Sequence, residues 1–318
     1  MKERISYNIL CATDDNYVPY CGIMLTSLFE NNKEADINVY ILTENLNDIN
    51  KEKIKKLSKT YQQKIEIITI NNEILKYCPI RKGDHVSIAT YYRLLAPKLL
   101  PANIDKVLYL DCDMIISNNI TSLYNVNIDG YPIAMCLDEA FFEDEKYKRL
   151  NYDEKYSYRN AGVALLNIKY WRENNIVEKS FEYISNNTDR ITFHDQDTLN
   201  ALLHEKIKPL PIKYNLQTGF LFNAYKEKYK DEIDEILRAA VSPTIIHYTG
   251  PGKPWFKGSK HPFTKRYIHY KNISLWSDTP LLKEKFSFKD RIHKLMTTLV
   301  WILGIKKRPE TYIIESQE

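Results

Sequence analysis

The chain has no large excess of charge of either sign, no long apolar run and no paired-cysteine motif, and each absence narrows what it does. Its 45 Lys and Arg against 41 Asp and Glu leave a formal net charge of +4 over 318 residues. That is too little for a protein that binds nucleic acid through its phosphates, so no nucleic-acid partner is expected. No stretch reaches the roughly 18 apolar residues of a membrane-spanning helix. The five cysteines, Cys11, Cys21, Cys78, Cys112 and Cys136, are odd in number and form no CxxC. Several sit in apolar strand-like runs, which predicts reduced thiols in a cytosolic protein. The opening residues have a basic start and a short apolar run, but Asp14 and Asp15 follow at once. The run is therefore expected to be a strand and not an export signal. No internal repeat and no low-complexity linker divides the chain.

What remains is the composition of a soluble globular protein, 44% hydrophobic and 27% charged. The 24 tyrosines suit surfaces that stack on rings and hydrogen-bond hydroxyls, although tyrosine also serves as ordinary filling. The length allows one large domain with an appendage. Ile5–Thr13, Ile37–Leu42 and Ile65–Ile70 read as strands, and Val18–Glu30 and Asn47–Tyr61 as helices between them. This alternation predicts an α/β fold: a Rossmann-like mixed, mainly parallel sheet flanked by helices. Further on, Ser87–Leu100 reads as a helix ended by Pro101, and Lys106–Leu110 as a short buried strand. Arg159–Ile168 reads as a strand, Tyr170–Ser185 and Asp195–Glu205 as helices, and Thr244–Tyr248 as a last strand. Beyond about His261 the pattern degrades, and it resumes as a basic, apolar helix over Leu281–Gly304. The expected division is a catalytic domain over residues 1–260 and a C-terminal extension over 261–318.

In open α/β sheets, ligands bind beyond the carboxyl ends of the strands. Three polar clusters fall at such ends: Asp14-Asp15-Asn16, Asp111-Cys112-Asp113 and His247. The second closes the apolar run Val107–Leu110, and a carboxylate in that setting is costly unless paired or bound to a cation. Two carboxylates there suit Mg²⁺ or Mn²⁺, which also hold diphosphates. The alternative is a pair of solvated loop acids. His247 is followed by Thr-Gly-Pro-Gly-Lys-Pro-Trp255. Imidazole suits Mn²⁺ beside carboxylates, Gly250 and Gly252 would let backbone amides approach a phosphate, and Lys253 adds a positive charge. The alternative is a surface turn. Asp195-Gln196-Asp197 opens a helix, either as a cap or as a carboxylate and carboxamide aimed at a sugar. Asn160-Ala-Gly-Val163 either places an amide at the same cleft or makes a turn.

Six stretches together resemble glycosyltransferase family 8, retaining enzymes of GT-A fold that include lipopolysaccharide α-galactosyl- and α-glucosyltransferases. They are Ala12–Tyr17, His85–Leu94, Lys106–Asp113, Asn160–Asn167 with Trp171-Arg172, Asp195–Asp197 and His247–Trp255, in family order across roughly Ile5–Phe256. The resemblance implies that Asp111, Asp113 and His247 hold Mn²⁺ (or Mg²⁺) against the diphosphate of a UDP-sugar donor. It implies that Ala12, Asp14, Asn16 and Tyr17 hold uridine, with the Tyr17 ring on uracil. Arg93 would contact the donor, Gly250 and Lys253 the diphosphate, and Asp138, Asn160, Asp195 and Gln196 the transferred sugar. Cys112 lies within the cofactor-binding triplet, with its side chain expected in the strand's packing. No covalent nucleophile stands out, Gln196 being a poor one, which favours same-face attack without a covalent intermediate.

The implied reaction moves galactose or glucose to a glycan acceptor, with lipopolysaccharide or lipooligosaccharide core favoured. A metal-dependent nucleotide-sugar hydrolase and a non-catalytic nucleotide-sugar-binding protein are the competing readings. The tail Lys283–Arg308 carries eight Lys and Arg against Glu284 and Asp290, a larger positive excess than the whole chain's +4. It suits an interfacial helix at the inner leaflet of the cell membrane, near a lipid-linked acceptor, or a helix packed on the domain or a subunit.

Overall fold

The computed structural model describes residues 5–80, 87–139, 145–250, 252–283 and 311–315. The chain begins as β1 (Ser6–Ala12), α1 (Val18–Glu30), β2 (Asp36–Thr43), α2 (Asp48–Tyr61) and β3 (Lys64–Thr69). A short helix α3 (Ala96–Leu99) precedes β4 (Lys106–Leu110), β5 (Met114–Ile116), α4 (Thr121–Tyr124), β6 (Ile133–Leu137) and α5 (Lys146–Leu150). Then come β7 (Arg159–Asn167), α6 (Ile168–Glu173), α7 (Ile176–Asn186), α8 (His194–Leu203) and β8 (Ile207–Leu210). The last elements are β9 (Leu216–Gln217), α9 (Ile233–Val241), β10 (Ile245–His247) and α10 (Thr264–Ile273).

Seven strands form the central sheet in the order β3-β2-β1-β4-β7-β6-β8. Only β7 in this sheet runs against the rest, pairing antiparallel with both β4 and β6. This is the mixed, mainly parallel sheet that the alternation predicts. Helices cover both faces, so the strands are apolar on both sides. In β4, Leu108 and Leu110 pack into the core beneath α1, while Val107 and Tyr109 pack into the core on the opposite face. That period of two carries forward: Asp111 falls on the Tyr109 side and Cys112 on the Leu110 side.

Three expectations need correction. Ser87–Leu100 is not one α-helix but a 3₁₀ stretch over Ile88–Leu95 followed by α3. Pro97 has no N–H to return to Arg93, so it tolerates only the first turn of a new helix. Tyr170–Ser185 is two helices, because Asn175 adopts a left-handed conformation (φ 53°) between α6 and α7. The degraded stretch after His261 contains α10, whose stripe is hidden by its composition: its buried residues are Tyr267 and Lys271. The Lys271 ammonium is satisfied by the Ser277 carbonyl at 2.5 Å. The tail helix lies outside the described residues for positions 284–304, as do His85 and Pro251.

The C-terminal part packs on the N-terminal part through Trp276, which is 1% exposed. A Cβ added at Gly22 of α1 would lie 2.0–2.4 Å from the Trp276 ring. Gly22→Ala is therefore expected to cost about 3 kcal/mol through overpacking. The thermal midpoint should fall by roughly 4–5 °C. An unchanged melting curve would contradict this docking.

Candidate active site

A second, three-stranded sheet builds the site. After β4 the chain turns through Asp111-Cys112-Asp113 and returns as β5, which pairs antiparallel with β10. The register places His247 opposite Met114, and the Tyr248 N–H donates to the Asp113 carbonyl at 3.0 Å. His247 thus closes a strand of this small sheet and not, as its strand-end position implied, one of the central sheet. The pairing carries its imidazole to the two carboxylates. His247 Nε2 lies 3.2 Å from Asp113 Oδ1 and 3.9 Å from Asp111 Oδ2.

The hydrogen-bond chain behind His247 fixes the orientation of its ring. Asn215 Nδ2 donates to Asn160 Oδ1 at 2.8 Å, which leaves Asn215 Oδ1 facing His247 Nδ1 at 2.9 Å. Nδ1 therefore donates to Asn215, which turns Nε2 toward the carboxylates. Asn215 is fully buried and holds the ring in this orientation. Asp111, Asp113 and His247 each offer one ligand atom within 4.8 Å of the others. Ligand atoms converging in this way form a site that a divalent cation would stabilise, and two carboxylates with one imidazole suit Mn²⁺ or Mg²⁺.

Other cations balance the outer oxygens. The Lys253 ammonium pairs with Asp113 Oδ2. Burial opposes ionisation of Asp113, but Lys253 and His247 outweigh it and hold the carboxyl below its usual range. Arg93, 4% exposed, bonds Asp111 Oδ1 at 2.9 Å, and its Nε lies 2.7 Å from Asp195 Oδ2 as an ion pair without a well-directed hydrogen bond. Its guanidinium sits 3.9 Å from the Tyr109 ring centroid, and the Tyr109 hydroxyl also donates to Asp111 Oδ1 at 2.9 Å. Burial would lower the Arg93 pKa, but Asp111 and Asp195 raise it above the ordinary value.

Two cavities meet at this cluster. One, of about 340 Å³, is lined by Ala12, Asp14, Tyr17, Arg93, Asp111 and Asp113, among others. The Tyr17 ring is held by Tyr20 at 4.9 Å and by the edge of Trp255 at 6.0 Å. Cys112 touches this cavity but is 6% exposed, and its thiol donates to the Ala12 carbonyl at 3.3 Å, away from the carboxylates. The other cavity, of about 220 Å³, is lined by Asp138, Asn160, Asp195 and Gln196 and shares Arg93 and Asp111 with the first. Asp138 Oδ2 accepts from Asn160 Nδ2 at 2.8 Å and Gln196 Nε2 at 3.1 Å. Gln196 Oε1 accepts the Ala161 N–H at 3.0 Å.

Four of the expected site residues do not line these cavities: His247 and Lys253, which reach the cluster through Asp113, and Asn16 and Gly250. Asn16 is exposed at the tip of the turn before α1, where its N–H caps Asp14 Oδ1 at 3.0 Å. Gly250 is also exposed, in a left-handed conformation (φ 69°) on the loop between His247 and Lys253. The Asp195-Gln196-Asp197 triplet splits. Asp195 and Gln196 face the cavity. Asp197 is fully buried, paired with Arg149 at 2.7 Å and accepting the N–H groups of Thr192 and Phe193 at 2.7 Å. It anchors the entry to α8 from within the first turns, while the N-cap position itself is Phe193 and has no side-chain cap.

Sequence reading missed Asn215, Gly162, Tyr109 and Glu139. Asn215 sits in Tyr214–Gln217 with no motif around it. A Cβ at Gly162 would lie 2.5 Å from His247 Cε1 and 2.7 Å from Asp111 Oδ2, so this strand position must be bare.

Residues 8–258 match the family model described as glycosyl transferase family 8. The chain is 28% identical to General stress protein A of Bacillus subtilis (strain 168) over 280 residues, 87% of this chain and 96% of that protein. It is 30% identical to a lipopolysaccharide 1,2-glucosyltransferase of Escherichia coli (strain K12) over 303 residues, 94% of this chain and 88% of that protein. Its fold matches the crystal structure of the galactosyltransferase LgtC in complex with donor and acceptor sugar analogues, with a TM-score of 0.76 at 23% identity, over 89% of this chain and 99% of that one. The chain belongs to glycosyl transferase family 8.

Proposed function

We propose that this protein transfers galactose or glucose from a UDP-sugar to a glycan, with retention of configuration and with Mn²⁺ or Mg²⁺ bound. The observation that carries this reading is the convergence of Asp111, Asp113 and His247 Nε2 where the two cavities meet. A cation bound there supplies Lewis-acid stabilisation of the leaving diphosphate. The chain's own groups do the rest. Tyr17 offers a ring face to uracil, while Ala12 and Asp14 line the uridine wall, with Asn16 at its rim. Lys253 and the loop amides around Gly250 meet charge developing on the diphosphate. Asp138, Asn160, Asp195 and Gln196 hold the hexose hydroxyls, and Arg93 locks Asp111 to Asp195 beneath them. The buried walls exclude water, which would otherwise divert the donor to hydrolysis.

A lipopolysaccharide-type core is the proposed acceptor, supported by the name of the Escherichia coli relative. Among the described residues, no helix is long and apolar enough to cross a membrane. We place the protein in the cytoplasm, with its basic tail against the inner leaflet. Removing the residues after Pro280 is expected to shift the protein from the membrane fraction to the supernatant. Unchanged fractionation would end the anchor idea.

The test of function is UDP release from a panel of nucleotide sugars, with Mn²⁺ and with EDTA. Mn²⁺-dependent cleavage of UDP-galactose or UDP-glucose supports the reading and names the donor. Absence of UDP binding in the presence of Mn²⁺ would overturn it.

A further inference from the structure

The asparagine behind His247 also reaches the sugar wall. Four side chains form an unbroken line of hydrogen bonds. His247 Nδ1 donates to Asn215 Oδ1 at 2.9 Å, Asn215 Nδ2 to Asn160 Oδ1 at 2.8 Å, and Asn160 Nδ2 to Asp138 Oδ2 at 2.8 Å. Every donor points the same way, from the cation cluster toward the hexose cavity. Two groups fix this direction at the sugar end. Asp138 presents a carboxylate oxygen, and the Gly162 N–H, which can only donate, meets Asn160 Oδ1 at 2.9 Å. His247 and Asn160 are 4% and 7% exposed, and Asn215 is wholly buried.

Hydrogen bonds ordered head to tail in a dry interior strengthen one another. An amide whose oxygen accepts a stronger bond becomes a better N–H donor. With Nε2 bound to a cation, the His247 Nδ1–H is a stronger donor to Asn215. Asn215 then donates more strongly to Asn160, and the Asn160 amide becomes a stronger donor in turn. Asn160 has two N–H atoms on Nδ2. One goes to Asp138, no described residue takes the other, and Asn160 lines the hexose cavity. The line therefore ends on a donor suited to a sugar hydroxyl oxygen.

We propose that Asn215 couples the two halves of the site: a cation held by His247 tightens the hexose held by Asn160, and the hexose tightens the cation by the same factor. Asn215 touches neither and is a positioning residue for both. Through it, the intact donor gains a hold on the cation that the UDP left after transfer lacks. This inference rests on the transferase reading.

Asn215→Leu keeps a branched side chain and removes both hydrogen bonds of the middle link, while Gly162 and Asp138 still hold Asn160. Mn²⁺ affinity is measured by calorimetry with UDP and with the 2-deoxy-2-fluoro analogues of UDP-galactose and UDP-glucose, which carry the hexose and resist cleavage. The quantity read is the ratio of Mn²⁺ affinity with an analogue to that with UDP. The nucleotides differ in charge, and Arg93 also joins Asp111 to Asp195, but both effects are common to wild type and variant and cancel in the comparison. The ratio should fall about fivefold in Asn215→Leu, the lower end of ordinary coupling between sites. Mn²⁺ affinity with UDP alone should fall about 10–100-fold, because the ring loses its partner. A second measurement needs no variant. In wild-type protein with Mg²⁺, the NMR signal of the His247 Nδ1 proton should move downfield, as for a strengthened hydrogen bond, when an analogue replaces UDP.

An analogue-to-UDP ratio that is unchanged in Asn215→Leu overturns the inference even if Mn²⁺ affinity falls, because Asn215 then orients the ring and does nothing more. A His247 Nδ1 proton that stays in place when UDP is exchanged for a bound analogue also overturns it, whether or not the variant folds. Wild-type protein that binds neither analogue with Mn²⁺ overturns the functional reading instead, since the hexose then has no place in the cavity.

Discussion

Replacing Asp113 with Asn is expected to lower kcat/KM for UDP-sugar cleavage by at least about 10³-fold, roughly 4 kcal/mol of transition-state stabilisation. The side chain keeps its size, so the fold should survive. What changes is the donor set. Asp113 Oδ1 is the carboxylate oxygen nearest to His247 Nε2, at 3.2 Å, and its Oδ2 holds Lys253. A carboxamide has no negative charge for a cation or for that ammonium, and half of it is an N–H₂ group that repels both. The loss should therefore show in cation affinity as well as in rate. An Mn²⁺ titration of UDP release, run beside a thermal melt, separates the site from the fold. Turnover within tenfold of wild type, at the same Mn²⁺ dependence, would mean that the cation is held elsewhere.

Gly162→Ala is expected to cost a similar amount for a different reason. The added methyl would meet His247 at 2.5 Å, Asp111 Oδ2 at 2.7 Å and Asn160 Oδ1 at 3.0 Å. The backbone there cannot yield easily, since the Gly162 carbonyl accepts the Asp111 N–H at 2.9 Å and the next residue, Val163, pairs with Leu110. The ligands must move instead, and a displacement near 1 Å can cost about 10²-fold in rate. With weakened cation binding added, a total loss of roughly 10²–10³-fold in kcat/KM is expected. Alanine in a strand recovers about 0.5–1 kcal/mol of glycine's conformational cost, so the melting midpoint should change little. Activity measured against Mn²⁺ concentration, with the melt, checks both halves. A variant that keeps its Mn²⁺ dependence would show that His247 and Asp111 do not share the cation.

These cases show what could be read in the sequence. Val107–Leu110 has to end at its acids because a buried strand cannot continue through two carboxylates, so Asp111 and Asp113 announce themselves. Asn47 and the charged face of α2 do the same for a surface helix: the Asn47 side chain accepts the Asn50 N–H. The small sheet was not legible. β10 reads as the last strand, Thr244–Tyr248, but its partner β5 is only three residues long, and their pairing joins residues about 130 positions apart. Asn215 was hidden because a lone asparagine beside an apolar turn looks like any loop residue. Its meaning comes only from the ring it orients. Glu139 was hidden by its neighbours, since it opens a charged, tyrosine-rich stretch in which nothing marks one carboxylate above another, while Glu139 itself turns inward.

The β5–β10 pairing has a consequence for the chain as it is made. The acids at Asp111 and Asp113 leave the ribosome long before His247 and Lys253, and until those arrive two carboxylates stand together at a strand end with Arg93 as the main counter-charge. The acids are made first, and the imidazole and ammonium that face them, with the Trp255 ring beside Tyr17, come last. Ligand held across that join stabilises only chains whose two ends have met. In a cell, a ligand bound at this cluster would therefore mark completed protein, protecting finished molecules and leaving truncated ones to proteolysis.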